Sequence, residues 1–79
     1  MTTMTGITPT AAAHVLWHYG EGGYKPGAFI ASLIAAIAKA DRPNRARLAL
    51  GFPEYVAACE LADRTPGGLE TLNNIAAEL

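Results

Sequence analysis

Cysteine occurs once, at Cys59. No disulfide can therefore close within the chain, and a lone thiol suits a reducing compartment. Charge is scarce as well: Asp, Glu, Lys and Arg make up 16% of the 79 residues, against 51% apolar. A small designed domain carries about 25–35% charged residues on its surface, so the excess apolar character calls for burial by self-association or by a partner. The net charge of −1 supplies no global field to draw nucleic acid or an acidic membrane. The longest uncharged apolar run, 26–38, has thirteen residues, whereas a bilayer span needs about 20. The first ten residues are Thr-rich and lack the basic and apolar stretches of a secretory signal. Period-two alternation and β-branched runs are missing too, which argues against strands. Together these absences leave one small, soluble, cytoplasmic domain with no membrane role, and one that is all-α.

What is present is helix punctuation. Residues 1–7 read as a flexible lead-in, and 8–79 as a single helical domain. Thr8-Pro9 is a cap followed by proline at the first helical position. It predicts a helix over 9–19 with Ala12, Val15, Leu16 and Tyr19 on one face and Trp17 beside them. Gly20-Glu21-Gly22-Gly23-Tyr24-Lys25-Pro26-Gly27 breaks it. A second helix over 26–40 has a large apolar stripe of Phe29, Ile30, Leu33, Ile34 and Ile37, with small residues elsewhere. A helix apolar nearly all round is expected to be buried on most sides, so 27–40 reads as the centre of a compact bundle of four to five short helices. Asp41-Arg42-Pro43-Asn44 ends it, with Asn44 capping a short third helix over 45–50 that turns Leu48, and Leu50 as a second candidate, inward. Pro53 opens a fourth helix over 53–63, with Glu54 in its first turn and Val56, Cys59 and Ala62 inward. Thr65-Pro66 repeats the cap-then-proline signal for a last helix toward Leu79, with Leu69, Leu72, Ile75 or Ala76, and Leu79 on one side.

Chemistry is thinly marked. His14 and His18 lie four apart and could face the same way, with Cys59 as a third ligand, but structural zinc needs three or four ligands and a supporting second shell. No metal and no cofactor is assigned. Cys59 has no base near it in sequence, and the acids Glu60 and Asp63 oppose a thiolate. The Gly-rich loop leads into a helix start, as phosphate cradles do, yet it lacks the Lys-Ser/Thr of a P-loop and the spacing of a dinucleotide fingerprint. The plain reading is a helix connection. Lys39, Arg42, Arg45 and Arg47 crowd into nine residues, opposed there only by Asp41. They either solvate helix ends or bind phosphate or carboxylate, for which arginine forks are suited. No triad and no carboxylate pair forms a catalytic set, so the chain reads as a binding protein rather than an enzyme.

Residues 18–58 also resemble a family of short uncharacterised proteins of actinobacterial phages and prophages. Tyr19-Gly20, Pro26-Gly27, Ala40-Asp41, Asn44, Arg45, Arg47 and Phe52-Pro53-Glu54-Tyr55 carry the likeness, which covers about half the chain. It implies an accessory protein acting in the host cytoplasm by binding, and it transfers no site residue. Two functions follow. One is a homo-oligomer that sequesters an anionic nucleotide-derived signal of host defence, with Arg42, Arg45 and Arg47 clamping phosphates, Trp17, Tyr19 and Tyr24 stacking, and Lys25 beside them. The alternative is a helical protein that docks on and regulates a host or phage protein. A DNA-binding role is disfavoured, because the helix after Gly51-Phe52-Pro53 is acidic where phosphate contacts need cations.

Overall fold

The computed structural model describes residues 6–79. It contains five helices: α1 (Pro9–His18), α2 (Ala28–Lys39), α3 (Arg42–Gly51), α4 (Pro53–Arg64) and α5 (Gly68–Ala76). Among the described residues there is no strand, so the all-α bundle expected from the sequence is what forms. Positions 1–5 of the expected lead-in lie outside the described residues. Ile7, assigned to that lead-in, is buried in the core.

α1 starts where its local chemistry places it. The Thr8 hydroxyl oxygen accepts from the Ala11 amide at 3.1 Å, filling one of the orphan donors of a helix start. Glu54 serves two helix starts at once. It lies in the first turn of α4, and its Oε1 accepts from the Thr8 hydroxyl at 2.8 Å and the Thr8 amide at 3.2 Å. A carboxylate is favourable at both positive helix ends, and it ties the beginning of α1 to the beginning of α4.

Two starts differ from expectation. Asp41, not Asn44, caps α3: its Oδ1 accepts from the Asn44 amide at 3.0 Å. Pro43 is tolerated in the first turn, where no intrahelical donor is needed, so the helix gains its first turn from residues assigned to the loop. At the last helix Thr65 does not cap. Its hydroxyl turns back to donate to the Glu60 carbonyl at 2.9 Å, and α5 begins after Gly67. Gly68 then lies flat against the Leu61 backbone, where any side chain would collide. The α4–α5 corner is therefore closed by backbone contact.

The core takes Ala11, Ala12, Val15 and Leu16 from α1, Leu33, Ile34 and Ile37 from α2, Val56, Ala58 and Cys59 from α4, and Leu72 and Ile75 from α5. The helix that touches all four others is α4. Its small Ala58 and Cys59 let neighbours approach closely. α2 starts two residues later than expected, at Ala28 after a buried Pro26. It is also covered on one side only: Ala28, Phe29, Ser32, Ala36 and Lys39 face solvent, with Phe29 66% exposed. Leu50 and Leu79, both considered for the interior, are exposed as well. Among the described residues no helix is long and apolar enough to cross a membrane.

Candidate functional site

The basic cluster divides on folding. Arg45 points into the protein and is 3% exposed. Its Nη2 donates to Asp63 Oδ2 at 2.7 Å and its Nη1 to Asp63 Oδ1 at 3.2 Å, a two-pronged pairing. Nη1 also meets Glu60 Oε2 at 2.7 Å, and Nε donates to the Ile37 carbonyl at 3.1 Å. That carbonyl belongs to the last turn of α2 and also accepts from the Ala40 amide at 3.1 Å. One guanidinium thus joins α2, α3 and α4. Tyr19 adds α1 to the set, since its hydroxyl donates to Asp63 Oδ2 at 2.6 Å.

The electrostatics agree with a closed structural network. Hydrogen bonding to Asp63 leads in raising the Arg45 pKa, against the opposing cost of burial. Burial, then the bond to Asp63, raises that of Tyr19. Burial alone would push Asp63 up, but its bonds to Arg45 and Tyr19 outweigh it and hold the carboxyl below its ordinary range. Neighbouring Cys59 is fully buried, and burial pushes its thiol up to about 12, which rules it out as a thiolate nucleophile at neutral pH. Two residues assigned to ligand binding, the buried Arg45 and the half-buried Tyr19, therefore spend their polar groups on bonds to other side chains of the same chain. Arg47 remains outside, where its Nη1 donates to Asn44 Oδ1 at 2.9 Å, and Arg42 is exposed. Both lie on α3, which does not touch α1.

The other assigned residues do come together. Gly23 has φ +68° and lies against the Ala13 carbonyl, so close that no side chain fits. Glycine is needed there on both counts. The close approach lays the loop on α1, and the Tyr24 amide donates to the same carbonyl at 3.3 Å. Packing thus explains the glycine at 23, whereas a side chain at Gly20, Gly22 or Gly27 would meet open space. Tyr24 is set edge-on to His14, ring centres 5.4 Å apart, and the Lys25 ammonium lies 5.9 Å from the centre of the Trp17 ring. Behind them His14 Nδ1 shares a hydrogen bond with the Tyr55 hydroxyl at 3.0 Å. Burial lowers the His14 pKa and raises that of Tyr55, so both are uncharged at neutral pH.

Trp17, Tyr24, Lys25, His14 and Tyr55 thus form one aromatic face drawn from α1, the Gly-rich loop and α4. The Tyr55 contribution was not foreseen, and His14 had been weighed as a metal ligand or as a partly exposed histidine near a helix end, not as part of this face. One signal for His14 was available: it stands three residues before Trp17, hence on the same helix face. Nothing local to Tyr55 connects it to residue 14. Among the described residues no three His, Cys, Asp or Glu side chains gather as a metal site. His18 packs on the neighbouring Tyr19 ring instead, 5.0 Å between centres. Comparison with protein-family models, with curated proteins and with solved structures returned no match.

Proposed function

We propose that this chain is a non-catalytic binding protein that docks on another protein through the face formed by Trp17, Tyr24 and Lys25. The observation that carries the reading is that two exposed rings are held in place. Trp17 and Tyr24 are 41% and 46% exposed, yet one sits under Lys25 and the other against His14. Aromatic anchors dominate protein interfaces, and fixing them beforehand lowers the entropic cost of association. Lys25 supplies a cation for an acidic group on the partner. In line with the likeness to small actinobacteriophage proteins, the partner would be a host or phage protein in the infected cell's cytoplasm.

The same rings favour one second reading. A base stacked on Trp17 or Tyr24 with its phosphate on Lys25 would make a weaker form of the nucleotide-sequestering site. Docking is preferred because Arg45 and Tyr19 are already engaged and the remaining arginines lie on a helix that does not touch α1. A photoactivatable phenylalanine analogue at Tyr24, with a control at the exposed Asn74, distinguishes the two. Docking predicts one covalent protein adduct from position 24, lost when Trp17→Ala is added, and none from position 74. Absence of that adduct, with quenching of Trp17 emission by cyclic dinucleotides or ADP-ribose derivatives, would support sequestration instead.

A further inference from the structure

The face formed by Trp17, Tyr24 and Lys25 has a one-sided hydrogen-bonding chemistry. The Trp17 indole N–H and the Lys25 ammonium can only donate, and the Tyr24 hydroxyl donates as readily as it accepts. Among the described residues none of these three groups has a hydrogen-bond partner. No carboxylate lies within ion-pair distance of Lys25, whose ammonium sits over the Trp17 ring instead. The complement of such a face is a segment rich in carbonyl oxygens and poor in N–H groups. It has apolar surface that lies flat on rings, and a negative charge. We infer that the face takes an extended proline-rich segment, in the polyproline II conformation, that carries an acidic residue among its prolines. The inference rests on the reading of Trp17, Tyr24 and Lys25 as a docking face and names the class of segment docked.

The other common ways of holding a peptide do not suit this face. Strand addition needs a sheet edge, and the described residues form no strand. Capture of a phosphorylated motif needs an arginine cluster. Arg45 is closed onto Asp63 and Glu60, and Arg42 and Arg47 lie on α3, which does not touch α1. A docked amphipathic helix needs an apolar groove for side chains from successive turns. Here the exposed large side chains are two rings with polar tips, Trp17 and Tyr24. Proline fits on each count. It has no N–H, so each proline adds an acceptor and no donor. Its ring supplies apolar surface for stacking. A polyproline II segment is already extended in water, so little order is lost when it docks. The protein side is prepared in the same sense, since Tyr24 is set edge-on against His14 and His14 is tied to the Tyr55 hydroxyl. Lys25 then favours a segment with a carboxylate over a neutral one.

Titration of the whole chain with synthetic decapeptides tests it. One is decaproline, a second is the same peptide with a central glutamate, and a third replaces every proline of the second by alanine. The chain has a single tryptophan, so its emission reports on Trp17. The expected result is a saturable change with both proline peptides and none with the alanine peptide. The glutamate peptide should bind about two- to threefold more tightly than decaproline, as one exposed ion pair allows. Lys25→Ala should abolish that preference while both proline peptides still bind. Tyr24→Ala should weaken both by about fivefold or more with the helical circular dichroism spectrum unchanged. Equal binding of the alanine peptide, or no binding of either proline peptide at millimolar concentration, overturns the proline-rich ligand. A glutamate preference that survives Lys25→Ala overturns the role of Lys25. If the proline peptides fail while the covalent adduct from position 24 still forms, the ligand class falls and the docking face stands. If the adduct is absent as well, both fall.

Discussion

The Tyr19 hydroxyl and the Asp63 carboxylate meet at 2.6 Å across 44 residues of sequence, on the carboxylate that Arg45 grips with both ends of its guanidinium. This contact turns one arginine of the most suggestive charge cluster of the sequence, Arg45, into scaffold. It also changes what a mutation there can report, because replacing Arg45 perturbs the junction of four helices before it perturbs any ligand.

Arg45→Ala is expected to lower stability by about 2–3 kcal/mol in urea titration. Removing one member of a buried ion pair typically costs about 3–5 kcal/mol, and the value is reduced here because Glu60 and Asp63 keep 41% and 22% side-chain exposure. Arg45→Lys should recover only part of the loss, since an ammonium cannot reproduce the forked geometry. Arg47→Ala, which breaks one exposed bond to Asn44, should cost less than about 0.5 kcal/mol. Equal effects at the two arginines would contradict the structural assignment of Arg45.

Acid should expose the Asp63 linkage. Its carboxyl titrates below the ordinary value of 3.8 in the folded chain, so the unfolded chain binds the proton first. The associated stability is present above pH 3.8 and is lost as pH falls through the depressed folded value. Thermal melts between pH 6 and 2 should show a steeper decline in the natural chain than in Asp63→Asn, which starts less stable and has no proton to take up at this position. Parallel declines would remove Asp63 as a source of the acid sensitivity.

His14 predicts a second, milder dependence at higher pH. Burial lowers its pKa from 6.5, so stability from this site is complete above pH 6.5 and falls as pH drops through the depressed value. Proton NMR titration should give His14 a midpoint below that of a reference histidine peptide. Moving the residue from neutral to charged should disturb the Tyr24 and Tyr55 ring signals, which lie in contact with it. A midpoint at or above 6.5 would contradict the burial argument.

The Gly-rich loop offers a test at single-atom scale. Gly23→Ala adds a methyl that strikes the Ala13 carbonyl, at a positive φ that L residues disfavour. Gly22→Ala adds the same methyl at another positive φ but into open space. The first should lower the melting temperature clearly more than the second and shift Trp17 emission, since Lys25 would lose its place over the ring. Matching effects would mean that backbone conformation alone, and not the approach to α1, demands glycine at 23.

Cys59 should behave as an inert core group. With its thiol raised to about 12 and fully buried, it should react with a thiol-specific dye only as fast as the chain unfolds. The rate should rise with urea in step with unfolding, and Arg45→Ala should speed it. Rapid labelling of the folded chain would contradict its placement.

Much of the helical layout was legible because its signals are local. Thr8-Pro9, Pro53 and the glycine run each act on their own backbone. Asp41 and Asn44, three residues apart, are both capping residue types, and the chain uses the earlier, which the sequence reading places in the loop. Thr65 was misread for a related reason: its hydroxyl had a carbonyl of the preceding helix within reach. The ring face was half legible. Trp17, Tyr24 and Lys25 are near one another along the chain, whereas Tyr55 joins them only because α4 packs beside α1.

By itself, then, the sequence determined that this chain is helical and low in charge, where its five helices approximately lie, and that α2 holds more apolar surface than one face can bury. The tertiary structure alone decided which arginine is interior, which rings meet, and which stripe of α2 is left in water. The physical reason is one of range. Helix propensity and capping act within about four residues. Burial and ion pairing join groups such as Arg45 and Asp63, or Tyr19 and Asp63, whose meeting depends on how whole helices cross. A periodic pattern says which face of a helix is apolar, but the number of neighbours available to cover it is a property of the assembled fold.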